Sequence, residues 1–269
     1  VGAGNICNIP LPAGAGRAAF ERVTDAIVAP LASRFAPDLL LVSAGRAQAD
    51  LQLLQPFATA GGTINAPWHL ASLPHQKRPL TRFSVLELDG RRALRVEADG
   101  SYGNLVHPLR VDGTALTLSW QWRVEEFVAE SDLATKRGDD TAVKVCVFFE
   151  MPMSQVPFVE RQLLRVARAA SDEPLPAATV CYVWDRTLPA GTTLDNAYTR
   201  RMRYLVLRSG AASPARWQPE RRDVGADFLR LFGNESTQIP PIVGVAVGAD
   251  ADNTHGHSVA HVADLVLAP

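Results

Sequence analysis

Cysteine is scarce in this chain: Cys7, Cys146 and Cys181 are the three in 269 residues. So small and odd a number excludes a dense disulfide framework as the support of the fold. Cys146 and Cys181 lie in apolar, strand-like runs, and buried reduced thiols are the expectation for both. A Cys146–Cys181 bridge between neighbouring strands is the alternative, and cross-strand geometry often forbids it. Charge of one sign is also lacking, with 27 Lys and Arg against 28 Asp and Glu and a formal net charge of −1. The chain therefore has no electrostatic footprint for nucleic acid, and no acidic tail. No run of about 18 apolar residues is present, so no membrane-spanning helix is expected. A Gly-x-Ser-x-Gly elbow, a P-loop and a His-Glu-x-x-His motif are all missing. The glycines of Gly2-x-Gly4 and Gly14-x-Gly16 do not sit between a strand and a helix in the dinucleotide pattern. What is there is ordinary for a globular protein, 47% hydrophobic and 20% charged.

The chain divides by pattern into three stretches. In the first, residues 1–45, residues 5–9 read as a short strand. Phe20, Val23, Ile27, Val28, Leu31 and Phe35 follow at one-sided helical spacing over residues 17–35. Gly14 and Gly16 precede this helix, Pro37 closes it, and Pro30 predicts a kink within it. Leu39 to Val42 is a short apolar strand. The resulting β-α-β unit is too small to close a core of its own. The second stretch, residues 46–80, carries Pro56, Gly61, Gly62, Pro67, Pro74 and Pro79 and reads as a loop-rich entry segment. It opens with Ala47-Gln48-Ala49 before Asp50, which has the small-x-small form of a signal-peptidase site.

The third stretch, residues 81–269, is dominated by strand signals. Phe83 to Leu88 alternates, Asp89-Gly90 is a hairpin turn, and Ala93 to Ala98 answers it. Leu116 to Val124 has strict period two, with Leu116, Leu118, Trp120, Trp122 and Val124 on one face. Core packing is expected for that face, both tryptophans included. Residues 126–137 read as a loop or short helix, and Thr141 to Met151 as a central strand. Residues 152–177 read as an Arg-rich surface insertion. Strands follow at Thr179 to Trp184 and Arg203 to Arg208. Asp223 to Phe232 reads as a short helix, and Ile242 to Val247 and Val259 to Leu267 complete the strands. The prediction is a mainly β protein, a β-sandwich or jelly roll, preceded by the short β-α-β fragment.

Two resemblances attach to these stretches. Gly4-Asn5-Ile6-Cys7-Asn8-Ile9-Pro10-Leu11-Pro12 and Pro37-Asp38-Leu39-Leu40-Leu41-Val42-Ser43-Ala44-Gly45 resemble segments of the bacterial histone-deacetylase-like amidohydrolases. In that family the second segment runs on into Phe-Asp-Ala-His, whose Asp binds zinc; here Arg46-Ala47-Gln48-Ala49-Asp50 stands instead. The resemblance thus implies an incomplete fragment, and deacetylase activity is not expected without the zinc ligands. Replacement of a secreted protein's signal peptide by such a fragment would account for both ends of the junction. On that reading residues 50–269 are periplasmic or secreted in their natural context, and cytoplasmic if the chain is made as given.

The stretch from about residue 80 to 268 resembles a bacterial domain-of-unknown-function family, the one numbered 3047. Leu118-Ser119-Trp120-Gln121-Trp122, Gly138-Asp139-Asp140-Thr141-Ala142, Val183-Trp184, Asn196-Ala197-Tyr198-Thr199 and Gly248-Ala249-Asp250-Ala251-Asp252-Asn253-Thr254 carry the resemblance. It implies a jelly-roll, galactose-binding-like sandwich and an exported protein, and supplies no catalytic residues.

Candidate chemistry concentrates in few places. Asp250-Ala251-Asp252-Asn253 offers hard oxygens at alternate positions, suited to calcium, or to a turn that caps its own backbone. His255, His257 and His261 lie close in sequence, with zinc as a candidate and exposed loop histidines as the plainer outcome. His257 joins Asp250 and Asp252 as the candidate metal set. Asp139 and Asp140 point to opposite faces of a strand and are either a solvated turn or rim carboxylates. Tyr198, Arg200 and Arg201, in a polar loop, are the candidate recognition element. The functional expectation is a non-catalytic module that binds a glycan or cell-envelope component through Tyr198, Arg200, Arg201, Asp139 and Asp140. A polysaccharide hydrolase or lyase using Asp139, Asp140, Asp250 and Asp252 is the first alternative. A structural, partner-binding envelope protein is the second.

Overall fold

The computed structural model describes residues 21–35, 53–58, 62–72, 76–171, 173–210 and 215–269. The chain falls into two compact units, Val1–Leu51 and Gln52–Pro269. In the first, a π-helical turn over Thr24–Val28 runs directly into helix α1, Ala29–Phe35. The widened turn sits where Pro30 lacks the N–H that would bond back to Ala26, which is how the chain absorbs the expected kink. The strands expected at residues 5–9 and 39–42, and the site at Ala47-Gln48-Ala49, lie outside the described residues.

The second unit is a sandwich of two sheets. Its strands are β1 His69–Ala71, β2 Arg82–Leu88, β3 Arg91–Asp99, β4 Tyr102–Val111, β5 Thr117–Glu126, β6 Thr141–Phe149, β7 Ala178–Asp185, β8 Thr193–Asp195, β9 Met202–Ser209, β10 Gln218–Asp223, β11 Ile242–Asp250 and β12 His257–Ala268. Seven of them form a sheet in the order β1-β4-β11-β6-β7-β9-β8, and five form the other, β10-β5-β12-β3-β2. Pairing is antiparallel except between β7 and β9. The long jumps in strand order, such as β4 to β11 to β6, are those of a jelly-roll-type sandwich rather than of simple hairpins.

Local chemistry explains the main elements. Asp89 and Gly90 both take positive φ, 53° and 74°, as a two-residue turn between β2 and β3 requires. Along β5, Leu118, Trp120, Trp122 and Val124 are buried between the sheets while their neighbours face outward. Trp120 packs on Tyr182 at 5.3 Å and Trp122 on Trp184 at 6.0 Å between ring centroids, which joins the two sheets. Helix α2, Phe158–Ala169, occupies the expected surface insertion, and residues 127–140 form turns with a bridge between Asp132 and Gly138 rather than a helix. Helix α3, Val224–Phe232, is capped by the Asp223 carboxylate on the Ala226 N–H at 2.9 Å. It closes one end of the core by setting Phe228 against Phe149.

Leu54, Phe57 and Trp68 also pack into this core, and the Leu53 N–H donates to Leu267 at 3.1 Å. That part of the expected entry segment is therefore a structural part of the sandwich.

The cysteine expectation is corrected. Cys146 and Cys181 stand directly opposite one another in the β6–β7 ladder, and they are joined as a disulfide with their Cα atoms 4.1 Å apart. The strand register puts both side chains on the same face, which settles the geometric objection.

Candidate functional site

Period-two alternation gives the seven-stranded sheet a second, outward face. It carries a second buried apolar cluster of Val106, Cys146, Cys181, Val183, Tyr204, Val206 and Ala246, joined by Leu133 from the loop before β6 and distinct from the inter-sheet core. At one end of this face three loops meet: residues 138–140 leading into β6, residues 196–201 between β8 and β9, and residues 250–256 between β11 and β12.

Asp140 fastens two of these loops. Its carboxylate accepts from the Asn253 N–H at 3.1 Å, the Asn253 side-chain amide at 3.1 Å, the Thr254 N–H at 2.8 Å and the Thr254 hydroxyl at 2.6 Å. Asp139 fastens the third, accepting from the Tyr204 hydroxyl at 3.2 Å and from the Asn196 amide. The Tyr198 hydroxyl proton is shared between the Lys136 carbonyl at 2.9 Å and Asn253 Oδ1 at 2.7 Å. Three segments far apart in sequence thus form one hydrogen-bonded node.

A lysine lies at its centre. Lys144 projects from β6, 1% exposed, and its Nζ donates to Asp250 Oδ2 at 2.8 Å. Asp250 Oδ1 accepts from the Thr141 N–H at 2.8 Å, so both of its oxygens are occupied. The ammonium also lies 5.1 Å from the centroid of the Tyr102 ring. Gly248, between Asn104 and Lys144 in the ladder, leaves space that a Cβ would take, since that atom would fall 2.1 Å from Asn104 Oδ1. Asn104 is thereby free to donate to the Tyr102 hydroxyl at 3.1 Å.

Burial raises the carboxyl pKa of Asp250 to about 6, against the opposing attraction of Lys144. Asp139 is raised by burial too, with Lys144, Asn196 and Tyr204 opposing. Asp252 is raised by burial and by the nearby Asp140. Burial acts to lower Lys144, but Asp250, Tyr102 and Tyr204 outweigh it and hold the ammonium charged.

Next to this node a groove runs over the outer face. One lobe encloses about 290 Å³ and reaches His69, Asn104, Phe148, Arg168 and Glu173. The other encloses about 500 Å³ and reaches Leu163, Ala167, Tyr198 and Arg200. Tyr102, Leu175, Pro176, Thr179 and Met202 line both lobes, so the two are continuous. Tyr198 is 58% exposed. The carboxylates along the groove are each engaged: Glu173 with His69 at 3.4 Å, Glu150 with Arg110, and Glu160 with Arg201 at 3.7 Å.

The structure brings together Tyr198, Asp139, Asp140, Asp250 and Asp252 and sorts them by role. Tyr198 and Arg200 line the groove; Arg200 is exposed and pairs with Asp195 at 3.0 Å. Arg201 borders the same lobe but is not exposed as expected: it is buried and binds Glu235 through both terminal nitrogens at 2.7 and 2.9 Å. Asp139 and Asp140 hold loops rather than face open space. The set Asp250, Asp252 and His257 does not assemble as metal ligands. Lys144 supplies the cation at Asp250, and His257 lies on the five-stranded sheet with Glu126 at 3.0 Å and Glu97 at 3.6 Å. Among the described residues no group of three or more His, Cys, Asp or Glu side chains is placed to hold a metal ion. His261 is buried on the same sheet, 3.6 Å from Glu125.

Lys144, Tyr102 and Tyr204 were not singled out by sequence reasoning. The available signal was the lone lysine inside the apolar run from Thr141 to Met151.

A two-sheet β-sandwich with a groove over its larger sheet is the class of protein so defined. The chain belongs to the family described as Protein of unknown function (DUF3047), whose model matches residues 66–266. A second model, Histone deacetylase domain, matches residues 1–60. "Histone deacetylase 14, chloroplastic" from Arabidopsis thaliana is 41% identical over 70 residues, 26% of this chain and 16% of that protein. "Histone deacetylase 10, chloroplastic" from Oryza sativa subsp. japonica is 41% identical over 71 residues, 26% of this chain and 15% of that protein. The chain therefore spans under a fifth of the curated relatives it matches.

Among solved structures, the endoglucanase Cel12A from Rhodothermus marinus aligns with a TM-score of 0.39 at 10% identity, covering 75% of this chain and 95% of that one. A family 12 xyloglucanase from Bacillus licheniformis in complex with ligand aligns with a TM-score of 0.40 at 6% identity, covering 71% and 87%. At such scores the sandwich assignment rests on the strand order itself.

Proposed function

We propose that residues 52–269 form a non-catalytic binding module for a glycan or another cell-envelope component, with the groove over the seven-stranded sheet as its site. The observation that carries this reading is the contrast between the groove and its carboxylates. The groove is continuous, open and flanked by Tyr102 and Tyr198, whose rings suit stacking on a sugar face or packing on an apolar group. Of the carboxyls with raised pKa, Asp139 and Asp250 are buried and satisfied by protein donors, while Asp252 is half-buried in the loop beside them. Glycoside hydrolysis needs two carboxyls aimed at one bond, one of them able to deliver a proton. The ion-paired Glu150, Glu160 and Glu173 favour binding over that chemistry. The Cys146–Cys181 disulfide supports an oxidising, exported setting for this part of the chain.

A glycan-array screen of the full chain, followed by calorimetry, tests the reading. Tyr198→Ala should weaken a specific hit about tenfold or more, the effect of one lost stacking contact. Tyr198→Phe, which keeps the ring, should retain most of the affinity. Absence of any specific hit, or a hit indifferent to Tyr198→Ala, sinks it. The hydrolase alternative has the raised carboxyls of Asp139 and Asp252 in its favour; unchanged turnover in both Asp139→Asn and Asp252→Asn removes that reading.

A further inference from the structure

We propose that helix α2, whose Leu163 and Arg168 also border the groove, is a docking surface for an anionic lipid bilayer. A helix on a water-facing surface turns its apolar stripe inward. In α2 that pattern is reversed. Leu164 is its one buried residue, while Phe158, Val159, Leu163 and Val166 are 67%, 66%, 61% and 70% exposed. At 3.6 residues per turn these four fall within an arc of about 140° on the side away from Leu164. They account for four of the eight large hydrophobic side chains exposed among the described residues. Gln162 is the one polar side chain within the arc, and an exposed apolar face of this kind marks an interaction site rather than ordinary surface.

Charge selects the occupant. Arg161, Arg165 and Arg168 border one side of the arc. Arg161 donates to the Met153 carbonyl at 3.4 Å, Arg165 to the Gln162 side chain at 3.4 Å and Arg168 to the Leu175 carbonyl at 2.8 Å. None of the three pairs with a carboxylate among the described residues, so three cationic charges stand uncompensated beside the apolar arc. Glu160, on the other side, is engaged with Arg201. A lipid surface offers hydrocarbon to the four apolar side chains and, a few ångströms higher, phosphate to guanidinium groups on flexible stems. A second copy of the same face would bring apolar surface but no free carboxylate, so self-association leaves the arginines unanswered.

Flotation of the full chain with two kinds of vesicle tests the proposal: phosphatidylcholine alone, and phosphatidylcholine mixed with phosphatidylglycerol. Binding is expected to the mixed vesicles only, and to weaken as salt is added. The variant Phe158→Ser/Leu163→Ser should lower partitioning by about two orders of magnitude, because two large side chains lose burial at interfacial depth. Arg161→Gln/Arg165→Gln/Arg168→Gln should abolish the preference for phosphatidylglycerol. Arg221→Gln, an exposed charge on β10, should leave binding unchanged and guards against a general charge effect. Near-ultraviolet circular dichroism of each variant reports the fold. The proposal is overturned if the mixed vesicles are not bound, or if binding ignores the α2 substitutions. It is also overturned if Phe158→Ser/Leu163→Ser instead abolishes a lipid-independent dimer.

Discussion

Replacing Lys144 with methionine keeps a long side chain in the node but removes its cation. Both oxygens of Asp250 are held in the native protein, one by the Thr141 N–H and one by Lys144. Even so, burial lifts the Asp250 carboxyl from 3.8 to about 6. A folded-state pKa above the unfolded value means the folded protein holds that proton more tightly. The resulting stability is fully present below about pH 3.9 and is lost as pH rises through about 6. Two units at 1.36 kcal/mol each make this swing ~3 kcal/mol in the native protein. Without Lys144 the carboxyl rises further, and the loss extends through neutral pH. Removing one partner of a buried pair costs about 3–5 kcal/mol. Lys144→Met should therefore be destabilised by that order at about pH 8, and by far less near pH 4, where Asp250 already carries a proton. The double variant Lys144→Met/Asp250→Asn should recover most of the loss, because no charge is then left buried alone. Urea unfolding under non-reducing conditions at the two pH values measures all three. A cost below about 1 kcal/mol at both would place the pair in a solvated environment and refute the reasoning.

Thiol titration of the denatured, unreduced chain should find at most one of the three cysteines free. With 35 residues separating the bonded pair, replacing both by serine should cost ~3–4 kcal/mol of stability, read as a lower urea midpoint. Glu235→Ala leaves Arg201 and Arg203 without the carboxylate they share. Each keeps a second carboxylate, Glu160 for Arg201 at 3.7 Å and Asp195 for Arg203 at 3.2 Å, so a loss of about 1–3 kcal/mol is expected, and a near-neutral result would show that these second partners suffice. A chelator should leave the melting temperature unchanged, because Lys144 already neutralises Asp250. A calcium ion saturating at a hundred times its Kd would contribute about 2.7 kcal/mol, so a drop of several degrees on chelation would restore the metal reading.

What the sequence discloses depends on the range of the interaction that fixes each feature. The apolar face of β5, the Asp89-Gly90 turn and the capped helix after Asp223 are determined within a few residues, and each stands where its pattern predicts. The loop motifs 138–141 and 250–254 are also visible as motifs, yet their meaning is not local. Asp140 caps a turn 113 residues further on, and Lys144 meets Asp250 across 106 residues. Both pairings are fixed by the register of β6 on β11, which no spacing in the chain encodes. Read alone, a doublet of aspartates and an Asp-x-Asp run resemble cation ligands. The cation that Asp250 receives is a side chain of the chain itself, hidden in a largely apolar run, and Asp139 and Asp140 receive neutral donors. Arg201 misleads for the same reason: beside Arg200 it reads as a second exposed loop charge, but it is the residue next to β9 and is drawn inward by Glu235, 34 residues away. Cys146 and Cys181 complete the pattern, since their bond follows from a register that sets them opposite each other. The groove is the extreme case, because its walls come from β1, β4, β6, β7, β9 and α2 together. A residue such as Tyr102 acquires a role there only once one whole sheet and a helix have placed it.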